Sequence, residues 1–148
     1  FFFFFVRVIV IANTRPGIFI LGDMIAINGG FFTAADCALT ICATVVSIPL
    51  PGYATLDAGT KSLTSDLSAT PGSYGLIQEH PDVALVKLNE EHGYLRYDPE
   101  KVSLAIGDRL HIIPNHCCVV ANLVDEIYAF RNGILSETIT IDARGKSY

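Results

Sequence analysis

Asn132-Gly133, standing between the β-prone runs Glu126 to Phe130 and Ile134 to Ile141, is the tightest constraint on what this chain can fold into. Both central residues of a two-residue type I′ turn need positive φ, which Asn and Gly adopt at little cost, so the pair predicts an antiparallel hairpin. The same grammar runs through most of the chain: short apolar runs rich in Val, Ile and Thr, bounded by Gly, Pro, Asn and Asp. These predict strands at Val6 to Ala12, Gly17 to Leu21, Met24 to Ile27, Ala38 to Ile48, Ala54 to Leu56, Ser73 to Gln78, Val83 to Leu88 and Arg109 to Ile113, ahead of the hairpin. Cys117 to Leu123 reads equally as a short helix or, through Val119 and Val120, as strand, and stays unassigned. Turn signals roughly every eight to twelve residues point to a mainly β fold, a single barrel or sandwich-like domain.

Size and charge narrow the function classes. A chain of 148 residues holds one core, since domains commonly run to about 100 to 150 residues. Fifteen acidic against ten basic residues give a net charge of −5 with no basic cluster, which argues against nucleic acid as a partner. Hydrophobic residues make up 51% and charged ones 17%, too apolar for a disordered tail. The excess predicts an apolar face that packs against another domain. The most apolar stretch, Phe1 to Ala12, is interrupted by Arg7 and stops before Asn13, short of the roughly 18 apolar residues a membrane span requires. No basic segment precedes it and no small-residue cleavage site follows, so a secretory signal is not expected. Five phenylalanines at the start, with no Met, fit a chain that begins inside a longer protein. The four cysteines, Cys37, Cys42, Cys117 and Cys118, form no CxxC and no disulfide ladder, which fits a reducing, cytoplasmic setting.

Three motifs carry candidate chemistry. Pro114-Asn115-His116-Cys117-Cys118 follows a predicted strand, and on an extended backbone an imidazole and a thiolate two positions apart share a face. Soft sulfur with imidazole suits zinc, although two ligands leave the shell to be completed from elsewhere. The competing explanation is that both cysteines are small buried hydrophobes and His116 a turn residue. The polar loop from Asp57 to Asp66 could bind something at a scaffold edge, or be a solvated loop of Asx and Ser turns. Asn89-Glu90-Glu91-His92-Gly93 sets carboxylates beside an imidazole, and a charged hairpin turn explains it as well. No Gly-rich phosphate loop, GxSxG or HExxH is present.

Together, Thr44-Val45-Val46-Ser47, Leu56-Asp57-Ala58-Gly59-Thr60-Lys61-Ser62-Leu63, Glu90-Glu91-His92-Gly93, Ile106-Gly107-Asp108 and Pro114-Asn115-His116-Cys117-Cys118 resemble, in order and spacing, the C-terminal domain of the D-serine dehydratase and D-threonine aldolase family. The resemblance runs from about Gly17 to Ser147 and leaves residues 1–16 unplaced, so the domain is expected over 17–148. It implies the C-terminal β-domain of an alanine-racemase-like, fold type III enzyme. In such enzymes an N-terminal (β/α) barrel of about 250 residues, which this chain does not encode, binds pyridoxal phosphate. It further implies zinc held by His116 and Cys118, since the residue two after the His is Cys in the dehydratases and Asp in the aldolases. Asp57, Lys61, Tyr74 and His92 would line the substrate pocket. Lys61 belongs to the β-domain motif and is not the Schiff-base lysine. The partners implied are the chain's own N-terminal barrel, a second subunit and a D-amino acid. The reaction implied is conversion of D-serine to pyruvate and ammonia, zinc assisting loss of the β-hydroxyl; taken alone, this chain is expected to be inactive. The alternatives are an aldolase-like domain and a stand-alone β-domain that binds metal or a partner without catalysis.

Overall fold

The computed structural model describes residues 18–67 and 72–146. Six strands close a barrel in the order β1-β2-β5-β4-β3-β6, all neighbours antiparallel: β1 (Ile41–Leu50), β2 (Tyr53–Leu56), β3 (Gly75–Ile77), β4 (Ala84–Leu88), β5 (Gly93–Arg96) and β6 (Arg109–Pro114). Closure depends on β1, the longest strand. Its first half, Ile41 to Thr44, pairs with β6 and its second half, Val45 to Leu50, with β2. Register breaks after Val45 and Ser47 let the strand bend from one partner to the other. Alternation then turns Val45, Leu56, Ile77, Leu85, Leu95 and Ile112 into a core with essentially no solvent contact.

Among the described residues, four short α-helices decorate the barrel, α1 (Ile18–Leu21), α2 (Met24–Asn28), α3 (Thr60–Leu63) and α4 (Cys117–Ala121), with one 3₁₀ turn at Ala34–Asp36. The first two correct the strands expected at Gly17 to Leu21 and Met24 to Ile27. Short apolar runs do not separate strand from helix by periodicity, and here Asp23 decides the matter. Its Oδ1 accepts from the N–H of Ile25 and Ala26 at 3.0 and 3.1 Å, capping α2 so that Met24 and Ala26 turn inward. The strand expected at Val6 to Ala12 lies outside the described residues. Cys117 to Leu123, left open by its composition, is the helix α4 with a short extension. Strand β5 was not anticipated, although Gly93 and Leu95 point inward between exposed or half-buried neighbours.

The C-terminal hairpin forms as the Asn-Gly pair requires. β7 (Glu126–Arg131) and β8 (Ile134–Thr140) make a separate two-stranded sheet, with Asn132 at φ 52° and Gly133 at φ 76°. β8 is exposed throughout. Tyr128, Phe130, Ile134 and Leu135 all face solvent, as do Phe19 and Ile20 of α1. Among the described residues no helix is long and apolar enough to cross a membrane.

Candidate functional site

Strand direction gathers the sequence motifs at one end of the barrel. Leu56 pairs with both Val45 and Gly93, Leu88 with Gly93, and Gly75 with Pro114. The ends of β2, β4 and β6 and the starts of β1, β3 and β5 therefore share one rim. The loop from Asp57, the turn at Asn89 to His92, Tyr74 and the segment Asn115 to Cys118 all leave from it. Leu63 of α3, fully buried, is part of the core cluster and packs beneath this rim.

His116 is the residue before α4, with extended backbone at φ −143° and ψ 105°, and Cys118 falls in the first helical turn. The backbone is thus extended only at His116, yet the two cysteines still part company: Cys117 is fully buried and Cys118 exposed. Cys117 N donates to Asp23 Oδ2 at 2.9 Å, so one buried carboxylate holds the starts of α2 and α4 together. Burial, reinforced by the hydrogen bond and charge of Asp23, pushes the Cys117 thiol far up and keeps its proton on. Of the two adjacent cysteines, the thiol available to a ligand is that of Cys118.

His116 Nδ1 lies 3.4 Å from Asp66 Oδ2. Asp66 arrives there from α3 through Thr64, a β-branched residue at φ 65°, a conformation that costs on the order of 1–3 kcal/mol. Asn115, almost fully buried, fixes the same loop at both ends: its Nδ2 donates to Asp66 O at 2.8 Å and to Ser73 O at 2.9 Å. Those two bonds orient the amide and leave Oδ1 buried with no hydrogen-bond partner among the described residues. Sequence reading placed Asp66 in the polar loop without a role and gave Asp23 and Asn115 none. Asp23 is a cap residue ahead of an apolar run, a signal that was available; Asp66 reaches His116 only by loop closure.

The remaining candidates are held in place by structural contacts. Asp57 locks the bent part of β1, its Oδ1 accepting from Thr44 N at 2.6 Å while its own N–H donates to Thr44 O at 3.1 Å. Lys61 pairs in solvent with Glu91, whose hydrogen bond and charge hold the ammonium above its usual range. Thr60 N and Lys61 N donate to the carbonyls of Asn89 and Glu90 at 2.8 and 3.2 Å, docking α3 onto the β4–β5 turn. Gly59 permits the approach, because a Cβ there would run into the carbonyl oxygens of Asn89 and Glu90. His92 sits in that turn with its N–H on Asn89 Oδ1 at 2.6 Å, and Tyr74 packs half-buried against the core. Among the described residues no hydrogen bond or ion pair links Asp57, Lys61, Tyr74 or His92 to His116 or Cys118, and no three His, Cys, Asp or Glu side chains converge as a metal cage.

The family described as "Putative serine dehydratase domain" matches residues 38–130, more than half of the chain. An uncharacterised protein of Mycobacterium tuberculosis is 36% identical over 132 residues, an alignment covering 86% of this chain and 99% of the relative. D-threonine aldolase of an Arthrobacter species is 33% identical over 77% of this chain, which spans only 29% of that enzyme. Among solved structures, D-threo-3-hydroxyaspartate dehydratase from Delftia sp. HT23 superposes with a TM-score of 0.70 at 26% identity, over 84% of this chain and 38% of its own. Variants solved for a dehydratase of that name replace a His and, two positions later, a Cys by Ala, the latter in a metal-free form. The described fold, its rim motifs and the match over residues 38–130 agree: the chain belongs to the serine dehydratase domain family, as its C-terminal β-domain.

Proposed function

We propose that this chain, read as a domain over 17–148, is the metal-binding part of a D-serine dehydratase-like lyase, with His116 and Cys118 as its zinc ligands. One observation carries the reading: Cys118, two residues after His116 and in the first turn of α4, is exposed, while Cys117 is buried. The replacement of a His and a Cys at the same spacing in the dehydratase variants, one of them metal-free, supports it. Zinc fits this donor set, an imidazole beside a thiol, better than it would fit carboxylates alone. Two ligands from this chain leave an open shell, as a site completed by substrate, water or another domain would need.

In the full enzyme, pyridoxal phosphate held by a separate N-terminal barrel supplies the electron sink and zinc the Lewis acid for the departing β-hydroxyl of D-serine, giving pyruvate and ammonia. This chain's own contribution is narrower. His116 and Cys118 hold the ion at the rim. Asp57, Tyr74 and His92, with Lys61 at the edge, shape the wall around a D-amino acid, and Leu63 with the core beneath closes that end of the barrel to water. The exposed apolar surface of α1 and the β7–β8 hairpin is where the N-terminal barrel and the second subunit of a homodimer would pack. The unpaired cysteines suit a cytoplasmic setting.

A second reading, a β-domain that binds metal or a partner without catalysis, is favoured by the mycobacterial relative, which this alignment spans almost end to end. An aldolase-like domain is favoured by the named aldolase relative and opposed by Cys118. The test is metal content after zinc loading of the full chain. Stoichiometric zinc retained in Cys117→Ser and lost in His116→Ala and Cys118→Ala is expected; zinc lost with Cys117→Ser and kept with Cys118→Ala overturns the ligand assignment.

A further inference from the structure

We infer that Asp66 is the positioning residue for His116: its carboxylate accepts a hydrogen bond from the imidazole Nδ1–H and so presents Nε2 as the coordinating nitrogen. The inference rests on the metal-binding reading above and adds a residue to it. Asp66 Oδ2 lies 3.4 Å from His116 Nδ1, and Asp66 is the ring's only ion-pair partner among the described residues. Such contacts are often long in the metal-free state and tighten once the site is loaded.

The placement is built rather than incidental. Asp66 is exposed, so nothing about its own burial brings it to the rim. Its backbone is held there by the buried Asn115, whose Nδ2 donates to Asp66 O and to Ser73 O, and Asn115 is the residue directly before His116. Asp66 N also approaches Thr64 Oγ1 at 3.3 Å, within the turn that directs the chain toward α4. One buried amide therefore sets the imidazole and its carboxylate in the same frame. A ligating imidazole with its second nitrogen on a carboxylate has a fixed tautomer and ring orientation and greater basicity, and loss of the carboxylate costs about 10- to 100-fold in metal affinity.

Two readouts on the full chain test this. Zinc affinity is measured by competition with a chromogenic chelator, and the His116 tautomer of metal-free protein by ring-nitrogen NMR. Asp66→Asn should lower zinc affinity about 10- to 100-fold and move His116 away from the Nδ1–H tautomer, while thermal unfolding shifts little because the side chain is exposed. Unchanged zinc affinity, or a wild-type ring already in the Nε2–H form, overturns the inference. Should the wild-type chain take up no zinc, the metal reading fails on its own. The tautomer comparison then decides Asp66 alone, a shift in Asp66→Asn sustaining its orienting role and no shift ending it.

Discussion

Asp23 Oδ2 accepts the backbone N–H of Cys117 at 2.9 Å across 94 residues of chain, while Oδ1 caps α2 through Ile25 and Ala26. A carboxylate with no solvent exposure is tolerable here because every partner is a backbone N–H at the start of a helix, where the helix dipole favours negative charge. The segment from His116 to Cys118 is thereby tied to an element near the chain's start that contributes no strand to the barrel.

Asp23→Ala removes all three bonds at once and strands three N–H groups in or near the core. A loss of about 2–4 kcal/mol is expected from the cap and the unsatisfied donors together. Urea denaturation followed by circular dichroism measures it, and an unchanged midpoint would contradict the bridging role.

Gly59→Ala should separate α3 from the β4–β5 turn, because the added methyl meets two carbonyl oxygens that are fixed by their own hydrogen bonds. About 1–3 kcal/mol of destabilisation is expected from the overpacking. Faster amide exchange at Thr60 and Lys61 would mark the place, and protection equal to wild type would rule the contact out as a constraint.

Acid sensitivity should owe a small amount to Glu79. Burial raises its carboxyl, but the backbone N–H and ring of His111 outweigh that and hold it below the usual carboxylate range. A folded-state pKa that is depressed contributes stability above the unfolded pKa and loses it as pH falls through the folded value. Glu79→Gln should therefore flatten the stability profile on the acid side, by less than about 1 kcal/mol since the pair is partly exposed. A steeper acid limb in the variant would reverse the sign argued here.

Phe130 and Leu135 pair directly across the hairpin, both exposed, beside exposed Tyr128. Concentration-dependent association of the chain alone is expected in sedimentation, and Phe130→Ser with Leu135→Ser should shift the distribution toward monomer. A wild-type chain that stays monomeric at high concentration would remove the apolar hairpin as an association surface.

Much of this fold was legible because strands announce themselves through turns. Asn132-Gly133 needed no tertiary context, and the runs that became β1, β2, β3, β4 and β6 alternate within bounds set by Gly, Pro and Asp. α1 and α2 were misread because four or five apolar residues satisfy either period, and the outcome depended on a cap whose other oxygen engages a residue 94 positions away. β5 hid behind the charged turn before it. At the site, His116 and Cys118 were readable as a motif, whereas Asp66 and Asn115 acquire their parts only when the loop between α3 and β3 closes.

The central claim is that His116 and Cys118, and not Cys117, hold the metal. X-ray absorption at the zinc edge of the loaded full chain tests it most directly. The account predicts one sulfur at about 2.3 Å and one imidazole nitrogen at about 2.0–2.1 Å with light-atom neighbours completing the shell, the sulfur vanishing in Cys118→Ser and persisting in Cys117→Ser. A shell with no sulfur, or one whose sulfur disappears only in Cys117→Ser, would contradict it.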